Sequence, residues 1–252
     1  MEEYISKLDT ERFGFKIAKV NHFSEDPSKI ISNLAKHGVK LVISRIESEN
    51  IILLNQLENL GFLLKDCQVT YKYDLTRTEL PSFKINPIIK IRKASLEDTD
   101  ALTNIAMESF YYYGHYFADN KLNKDKCLEI YKDWTQRSCS DRNVADIIFL
   151  AEINNNITGY LGFKIFQTRK GDYAAGVLGA VTKNFRKMGV FQAVTVEGLK
   201  WGKVNNLLWE EHNVLITNYS VNNTFSTIGF KLLNSYYTLH LWIQPVTSYD
   251  SI

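Results

Sequence analysis

Leu102, Ile105, Ala106 and Phe110 recur at three- and four-residue steps, which predicts a helix with one apolar face from Ser95 to about Phe110. Ser95, followed by Glu97 and Asp98, is the start signal, because a hydroxyl and nearby carboxylates suit the unpaired amides of a first turn. A second amphipathic helix is predicted over 123–137. Apolar runs over 147–153 and 157–168 flank Asn154-Asn155-Asn156 and read as a hairpin. Gly171-Asp172 then turns the chain into a strand over 173–181. A helix over 192–203, a strand over 213–217, a short helix and two last strands around 236–243 complete this half. A short strand is expected over 88–93. Residues 111–119 are aromatic without a period and read as irregular.

The N-terminal part repeats one feature of the C-terminal part. Asn50 precedes Gly61-Phe62 by 11 residues, and Asn218 precedes Gly229-Phe230 by 11. Each Asn follows a strand-like run (39–46 and 214–217), and each Gly-Phe leads into a β-rich one. These parallels predict an internal repeat. The stretch 77–87, with Pro81 and Pro87, reads as the boundary between the two parts. The alternation predicts a mixed α/β fold with a largely antiparallel sheet.

Composition narrows the picture only a little. The chain has 252 residues, 45% hydrophobic and 23% charged, as in ordinary globular proteins. A net charge of +2 implies no polyanionic partner, so neither nucleic acid nor a membrane surface is expected. Cys67, Cys127 and Cys139 are odd in number and lack ligand spacing, and they read as thiols in a reducing compartment. The five histidines show no metal spacing, so no metal is expected. No apolar run reaches the roughly 18–20 residues of a membrane helix. The acidic start, Met-Glu-Glu-Tyr, is unlike a secretory leader, and a cytoplasmic protein is expected.

The most informative stretch for chemistry is Val181 to Phe191. It reads as a strand end, then a basic turn with Gly189, then a helix start. A helix start offers unpaired N–H groups and the positive end of a dipole, which together hold phosphate oxygens. Gly189 lets the backbone approach an anion, and Arg186 and Lys187 add charge.

The order strand, Arg186-x-x-Gly189-x-Phe191 turn, helix, strand, Asn218, Gly229-Phe230 resembles the C-terminal half of a GCN5-related N-acetyltransferase (GNAT). The resemblance implies the GNAT fold, a mixed, mostly antiparallel sheet flanked by helices. It also implies a partial GNAT-like N-terminal domain over 1–85 and a catalytic domain over 88–245. In the family the turn reads Arg/Gln-x-x-Gly-x-Gly/Ala and wraps the pyrophosphate of acetyl-CoA; Phe191 departs from it. Further stretches are similar to nucleotide-sugar N-acetyltransferases of the dTDP-fucosamine acetyltransferase type. They are Leu8 to Ile17, Gly61 to Tyr71, Thr217 to Phe230 and Tyr237 to Trp242. This implies acetyl transfer from acetyl-CoA to the amine of a nucleotide-linked amino-dideoxy sugar, a step of surface polysaccharide synthesis.

The implied cofactor residues are Ala180, Val181, Arg186, Lys187, Met188, Gly189, Val190, Phe191 and Asn218, with Phe225 at a position where the family often has a catalytic Tyr. Phe225 has no proton to give, so either the thiolate leaves unaided or another group serves: Tyr219, Tyr237 and His240 are the substitute acids, the last two on opposite faces of one strand. Asp66 matches an acidic family position and is the expected base. Tyr113, His115 and Tyr116 are expected to meet the acceptor. Three readings compete: the nucleotide-sugar enzyme, a GNAT enzyme acting on a peptide, polyamine or antibiotic amine, and a non-catalytic acyl-CoA-binding module. A homodimer is an assembly compatible with each.

Overall fold

Asn218 accepts a hydrogen bond from Val221 N–H at 3.4 Å and so begins helix α8, Tyr219–Ile228. Asn50 does the same for Leu53 N–H at 3.3 Å and begins α3, Ile51–Asn59. Both helices end at a glycine in the left-handed region, with φ 89° at Gly61 and 108° at Gly229. In both, the next residue, Phe62 or Phe230, returns its N–H to a buried carbonyl-bearing residue, Leu57 or Phe225, at 3.0 Å. Each helix lies between strands: β2 (Leu41–Glu47) and β3 (Leu63–Asp74) around α3, β8 (Trp209–Leu215) and β9 (Lys231–Trp242) around α8. The repeated spacing is thus a repeated strand–capped helix–strand element.

The computed structural model describes residues 2–82 and 85–244. Met1, Phe83, Lys84 and residues 245–252 lie outside these, including the start and end of the two expected domains and part of the 77–87 boundary. The chain divides into two compact units. The first comprises Met1–Gln68, Gly114–Lys126 and Ser235–Ile252; the second comprises Val69–Tyr113 and Cys127–Asn234. The 77–87 stretch falls inside the second unit.

In the first unit β1 (Ile17–Lys19) pairs in parallel with β2, and β2 pairs antiparallel with β9 from Leu41↔Trp242 to Glu47↔Tyr236. The start of β3 lies next to β9. Alternate residues divide the two faces. Val42, Ile46, Tyr237, Leu239 and Leu241 meet α2 (Pro27–Lys36) and α3 in an apolar core with Ile30, Leu34, Leu54 and Leu57. Burying each such side chain contributes about 1.5–3 kcal/mol. Arg45, Thr238 and His240 fall on the opposite register.

In the second unit the strand order is β3 (from Val69), β8, β7 (Tyr173–Val181), β6 (Asn156–Phe166), β5 (Ile147–Ile153), β4 (Lys90–Lys93). β4, β5, β6 and β7 pair antiparallel, whereas β7 and β8 are parallel. Helix α7, Val190–Val204, packs on β5, β6 and β7 through Val190, Ala193 and Val194 against Phe149, Leu161 and Phe163. Helix α8 joins α7 over Val69, Tyr73, Val214 and Phe230. The first helix of this unit is α4, Thr99–Ser109, preceded by a short turn that Asp98 secures by accepting from Ser95 N–H at 2.7 Å. A short helix α5, Gly114–Ala118, stands inside the stretch expected to be irregular, and α6 runs over Lys124–Ser140. The strand expected at 213–217 is β8, which starts earlier and ends at Leu215; its Glu210 and His212 are buried polar residues that hide a strand from a hydrophobic count. The two last strands are one, β9, because Asn234 and Ser235 continue the strand instead of turning it. Among the described residues no helix is long and apolar enough to cross a membrane.

Candidate active site

The parallel pairing of β7 with β8 stops early. It runs through Tyr173↔Trp209, Ala174↔Glu210 and Ala175↔Glu211 and goes no further, so the strands part from Gly176 and His212 onward. At the same place β7 is bulged. Leu161 of β6 faces Gly179 and Phe163 faces Gly176, so Val177 and Leu178 together oppose Gly162. A bulge bends its strand and raises its twist, which directs β7 away from β8. The rest of β7 keeps its bonds to β6 on one edge and opens the other.

A cleft of about 600 Å³ fills this fork. Gly179, Ala180 and Val181 line one wall and Leu215, Thr217 and Asn218 the other. Arg186, Lys187, Gly189, Val190, Phe191 and Gln192 form its end, with Tyr113 and Phe110 beside them. The turn is built to present backbone. Lys187 at φ 65° and Gly189 at φ 84° are both left-handed, and Gly189 caps the N-terminus of α7. Among the described residues no N–H from 187 to 192 donates to a protein acceptor, while Ala193 N–H already bonds Gly189 at 2.9 Å. A row of unengaged amides at a helix start, with two exposed cations beside it, is an arrangement whose charge and donors are complementary to an anion. The guanidinium Nε of Arg186 bonds the Val181 carbonyl at 3.3 Å and ties the turn to the strand end.

The other expected cofactor residues occupy definite places. The ring of Phe191 reaches both apolar clusters of the unit and lies 5.7 Å from Phe225, which explains how a bulky residue fits in this turn. Met188 packs against the α7 cluster. Phe225 is 1% exposed in the core, stacked on His212 at 4.8 Å. Asn218 lines the cleft and caps α8 at once. Tyr113 also lines it, and its hydroxyl accepts from Leu215 N–H at 3.4 Å.

The remaining expected residues belong to the first unit, where Asp66, His115 and His240 gather on one face and Tyr237 lies on the other. His240 is wholly buried and commits both ring nitrogens: Nδ1 to Asp119 Oδ2 at 2.7 Å and Nε2 to His115 Nδ1 at 2.9 Å. Trp242 Nε1 also donates to Asp119, at 2.9 Å. Burial alone would raise the Asp119 carboxyl, but the bonds from His240 and Trp242 outweigh it and hold it well below the usual range. An ionised Asp119 accepts from His240 Nδ1–H, His240 Nε2 then accepts from His115 Nδ1–H, and His115 Nε2 is left with its lone pair. Burial, with the neighbouring His240, keeps His115 neutral far below the ordinary histidine value. Burial also pushes the Asp66 carboxyl up, against the lowering effect of Thr238 and Arg45. Neither Asp66 oxygen makes a hydrogen bond of normal geometry. The Tyr116 hydroxyl donates to Asp9 at 3.0 Å, and Tyr237 packs on the apolar core.

Sequence reasoning missed several of these partners. Asp119 and Trp242 complete the histidine chain from residues distant in sequence, and only a fold brings them together. Asn222 donates to the carbonyls of Leu215 and Asn218 at 3.0 and 2.8 Å and fixes the wall of the cleft. Its position four residues after a capping Asn was a legible sign. The pair Glu210 and His212, two apart on a strand and hence on one face, was another.

No protein-family model matches this chain, and no curated protein does. Solved structures do share its fold. A GCN5-related N-acetyltransferase from Sphaerobacter thermophilus superposes with a TM-score of 0.58 at 16% identity, over 86% of this chain and 66% of that one. A tandem GNAT protein from the clavulanic acid biosynthesis pathway gives 0.63 at 10% identity, over 91% and 76%. A GCN5-related glucosamine N-acetyltransferase region of a fungal multi-domain GH3 β-N-acetylglucosaminidase gives 0.62 at 12% identity, over 94% of this chain and 30% of that one. The fold is therefore the mixed α/β fold of the GCN5-related N-acetyltransferases.

Proposed function

We propose that the chain is an acetyl-CoA-dependent N-acetyltransferase, and that its acceptor is the amine of a nucleotide-linked amino sugar. One observation carries the first part: the unengaged amides of residues 187–192 stand at the end of a cleft that opens where β7 leaves β8. These residues fit acetyl-CoA by their chemistry. The amides, Arg186 and Lys187 suit a diphosphate, and the open edge of β7 at Gly179 to Val181 offers peptide groups to an amide-containing arm. Bound there, acetyl-CoA supplies an activated acyl group on a good leaving thiol. Arg186 and Gly189 shape the turn, Asn218 and Asn222 hold the opposite wall, and Phe191 closes the floor against water.

An amine acceptor must lose a proton. Asp66 is the proposed base, because its raised carboxyl and unbonded oxygens leave lone pairs for that proton, directly or through water. His115 is proposed to meet the acceptor through its bare Nε2, with Asp119 and His240 as positioning residues that fix its tautomer. Amino-sugar specificity rests on the resemblance of 8–17, 61–71, 217–230 and 237–242 to nucleotide-sugar enzymes; one structural neighbour is a glucosamine N-acetyltransferase region of a larger protein.

The test is transfer itself. Thiol release from acetyl-CoA is followed with nucleotide-linked amino sugars, free hexosamines, polyamines and peptides. Turnover with the nucleotide sugars and little with the rest is expected. Turnover confined to peptides or polyamines overturns the acceptor, and binding of CoA without transfer to any amine overturns the enzyme. Asp66→Asn is expected to lower kcat by about a hundredfold with CoA affinity unchanged; an unchanged kcat removes Asp66 as base.

A further inference from the structure

Where helix α4 ends, Phe110, Tyr111, Tyr112 and Tyr113 form one tight turn, closed by Tyr113 N–H donating to the Phe110 carbonyl at 3.1 Å. Tyr112 is the third residue of that turn and has φ 65°. A left-handed third position is where such turns place Gly or Asn, because a bulky side chain strains the backbone there. Burial does not supply the reason for a tyrosine, since Tyr112 is 75% exposed. Backbone strain of this kind persists where the surroundings enforce it, and it gathers at ligand sites.

The residues around Tyr112 enforce it. Phe110 stacks on Tyr131 with ring centres 4.6 Å apart, and the Tyr131 hydroxyl donates to the Tyr113 carbonyl at 2.9 Å. The Tyr113 hydroxyl reaches the Leu215 N–H. The Tyr111 ring meets that of Tyr112 at 4.4 Å between centres and 74° between planes. The turn is also tied to the end of β7: Ser109 Oγ donates to the Val181 carbonyl at 3.3 Å, and Lys183 N–H donates to Glu108 Oε1 at 3.3 Å. Tyr112 therefore lines the same cleft as Arg186 and Lys187 and stands on its rim. A ligand anchored by a diphosphate at 187–192, with its thiol arm in the fork, carries its nucleoside outward to that rim. A purine there needs a flat apolar face, and an exposed tyrosine ring is one.

We propose that Tyr112 is the platform on which the adenine of bound CoA stacks, and that its left-handed backbone holds the ring at the rim for this purpose. The proposal rests on the acetyl-CoA reading above and adds the nucleoside end of the ligand to it. The base of a nucleotide-linked acceptor has the same stacking chemistry, and the experiment separates the two sources.

Wild type, Tyr112→Asn and Tyr112→Phe are titrated with CoA and with 4′-phosphopantetheine, which keeps the arm and one phosphate and lacks the nucleoside. Tyr112→Asn is expected to bind CoA about tenfold more weakly, the worth of one stacked base, and phosphopantetheine within about twofold of the wild type. Tyr112→Phe is expected to bind both as the wild type does, because the face of the ring and not its hydroxyl makes the contact. In turnover, Tyr112→Asn is expected to raise the KM for acetyl-CoA about tenfold, with kcat and the KM for the nucleotide sugar unchanged. Asn suits the left-handed region better than Tyr, so the melting temperature of that variant is expected to equal or exceed that of the wild type. Equal losses for CoA and phosphopantetheine, or a loss in Tyr112→Phe as large as in Tyr112→Asn, overturn the platform. A raised KM for the nucleotide sugar with CoA affinity kept gives the ring to the acceptor and overturns the adenine. A lowered melting temperature with CoA affinity kept makes Tyr112 a residue of the fold and overturns the proposal as well. Wild-type protein that fails to bind CoA refutes the enclosing acetyl-CoA reading, whereas wild type and Tyr112→Asn binding CoA alike refutes the platform alone.

Discussion

At residue scale, Gly189 carries the most consequence. Its φ of 84° is left-handed, and a Cβ there would meet only Gln192 Oε1 at 4.0 Å, so a substitution is opposed by backbone strain and not by crowding. Gly189→Ala is expected to destabilise the fold by about 1 kcal/mol and to weaken CoA binding several-fold by turning the amides aside. A melting curve and a titration read the two effects separately. Asp98 makes a second residue-level case. Arg92 donates to both its oxygens, at 2.7 and 2.8 Å, and these bonds, against some burial, lower its carboxyl to about 2. A depressed carboxyl stabilises the fold above the unfolded value near 3.9, and that contribution is lost as pH falls toward 2. Because Arg92 is partly exposed, the contribution is discounted to about 1 kcal/mol. Asp98→Asn is expected to remove that much at pH 7 and to flatten the acid limb of the stability curve; an unaltered acid limb would place the loss elsewhere.

At the scale of elements, the two capped helices show what a sequence discloses. Asn50 and Asn218 each met a helix start and each Gly-Phe a helix end, because capping is local chemistry that a few residues determine. Asn50→Ala and Asn218→Ala are each expected to cost about 1 kcal/mol of stability. Only the second should also weaken CoA binding, since Asn218 lines the cleft; equal effects on binding would contradict that division. The strands 147–153 and 173–181 were legible to the residue for the same reason, being apolar runs between turn residues. The fork was not. It arises where β7 and β8, about 30 residues apart, stop pairing, and neither strand's own pattern records that. Nor did the single β9 appear, since Asn234 and Ser235 imitate a turn in a strand whose pairing overrides them.

Across the whole molecule, buried histidine sets the response to pH. His115 and His240 both have their protonation lowered by burial, in His240 despite the pull of Asp119. Groups of this kind bind protons in the unfolded chain before the folded one, so stability falls as pH drops below the unfolded histidine value near 6.5. The melting temperature is expected to decline from pH 7 to pH 5, and less so in His115→Gln. An equal decline in that variant would assign the loss to other groups. The same scale explains why the first unit was hard to read. Asp66, His115, Asp119 and His240 come from three separate chain segments, and their meeting depends on the tertiary fold.

All of the functional reading depends on the turn at 187–191 holding a diphosphate. The direct measurement is titration calorimetry of the wild-type protein with CoA and, separately, with pantetheine, which has the same thiol arm and no phosphates. Micromolar binding of CoA with pantetheine at least a hundredfold weaker, about 2.7 kcal/mol, is predicted. No heat with CoA, or equal affinity for the two, would contradict it.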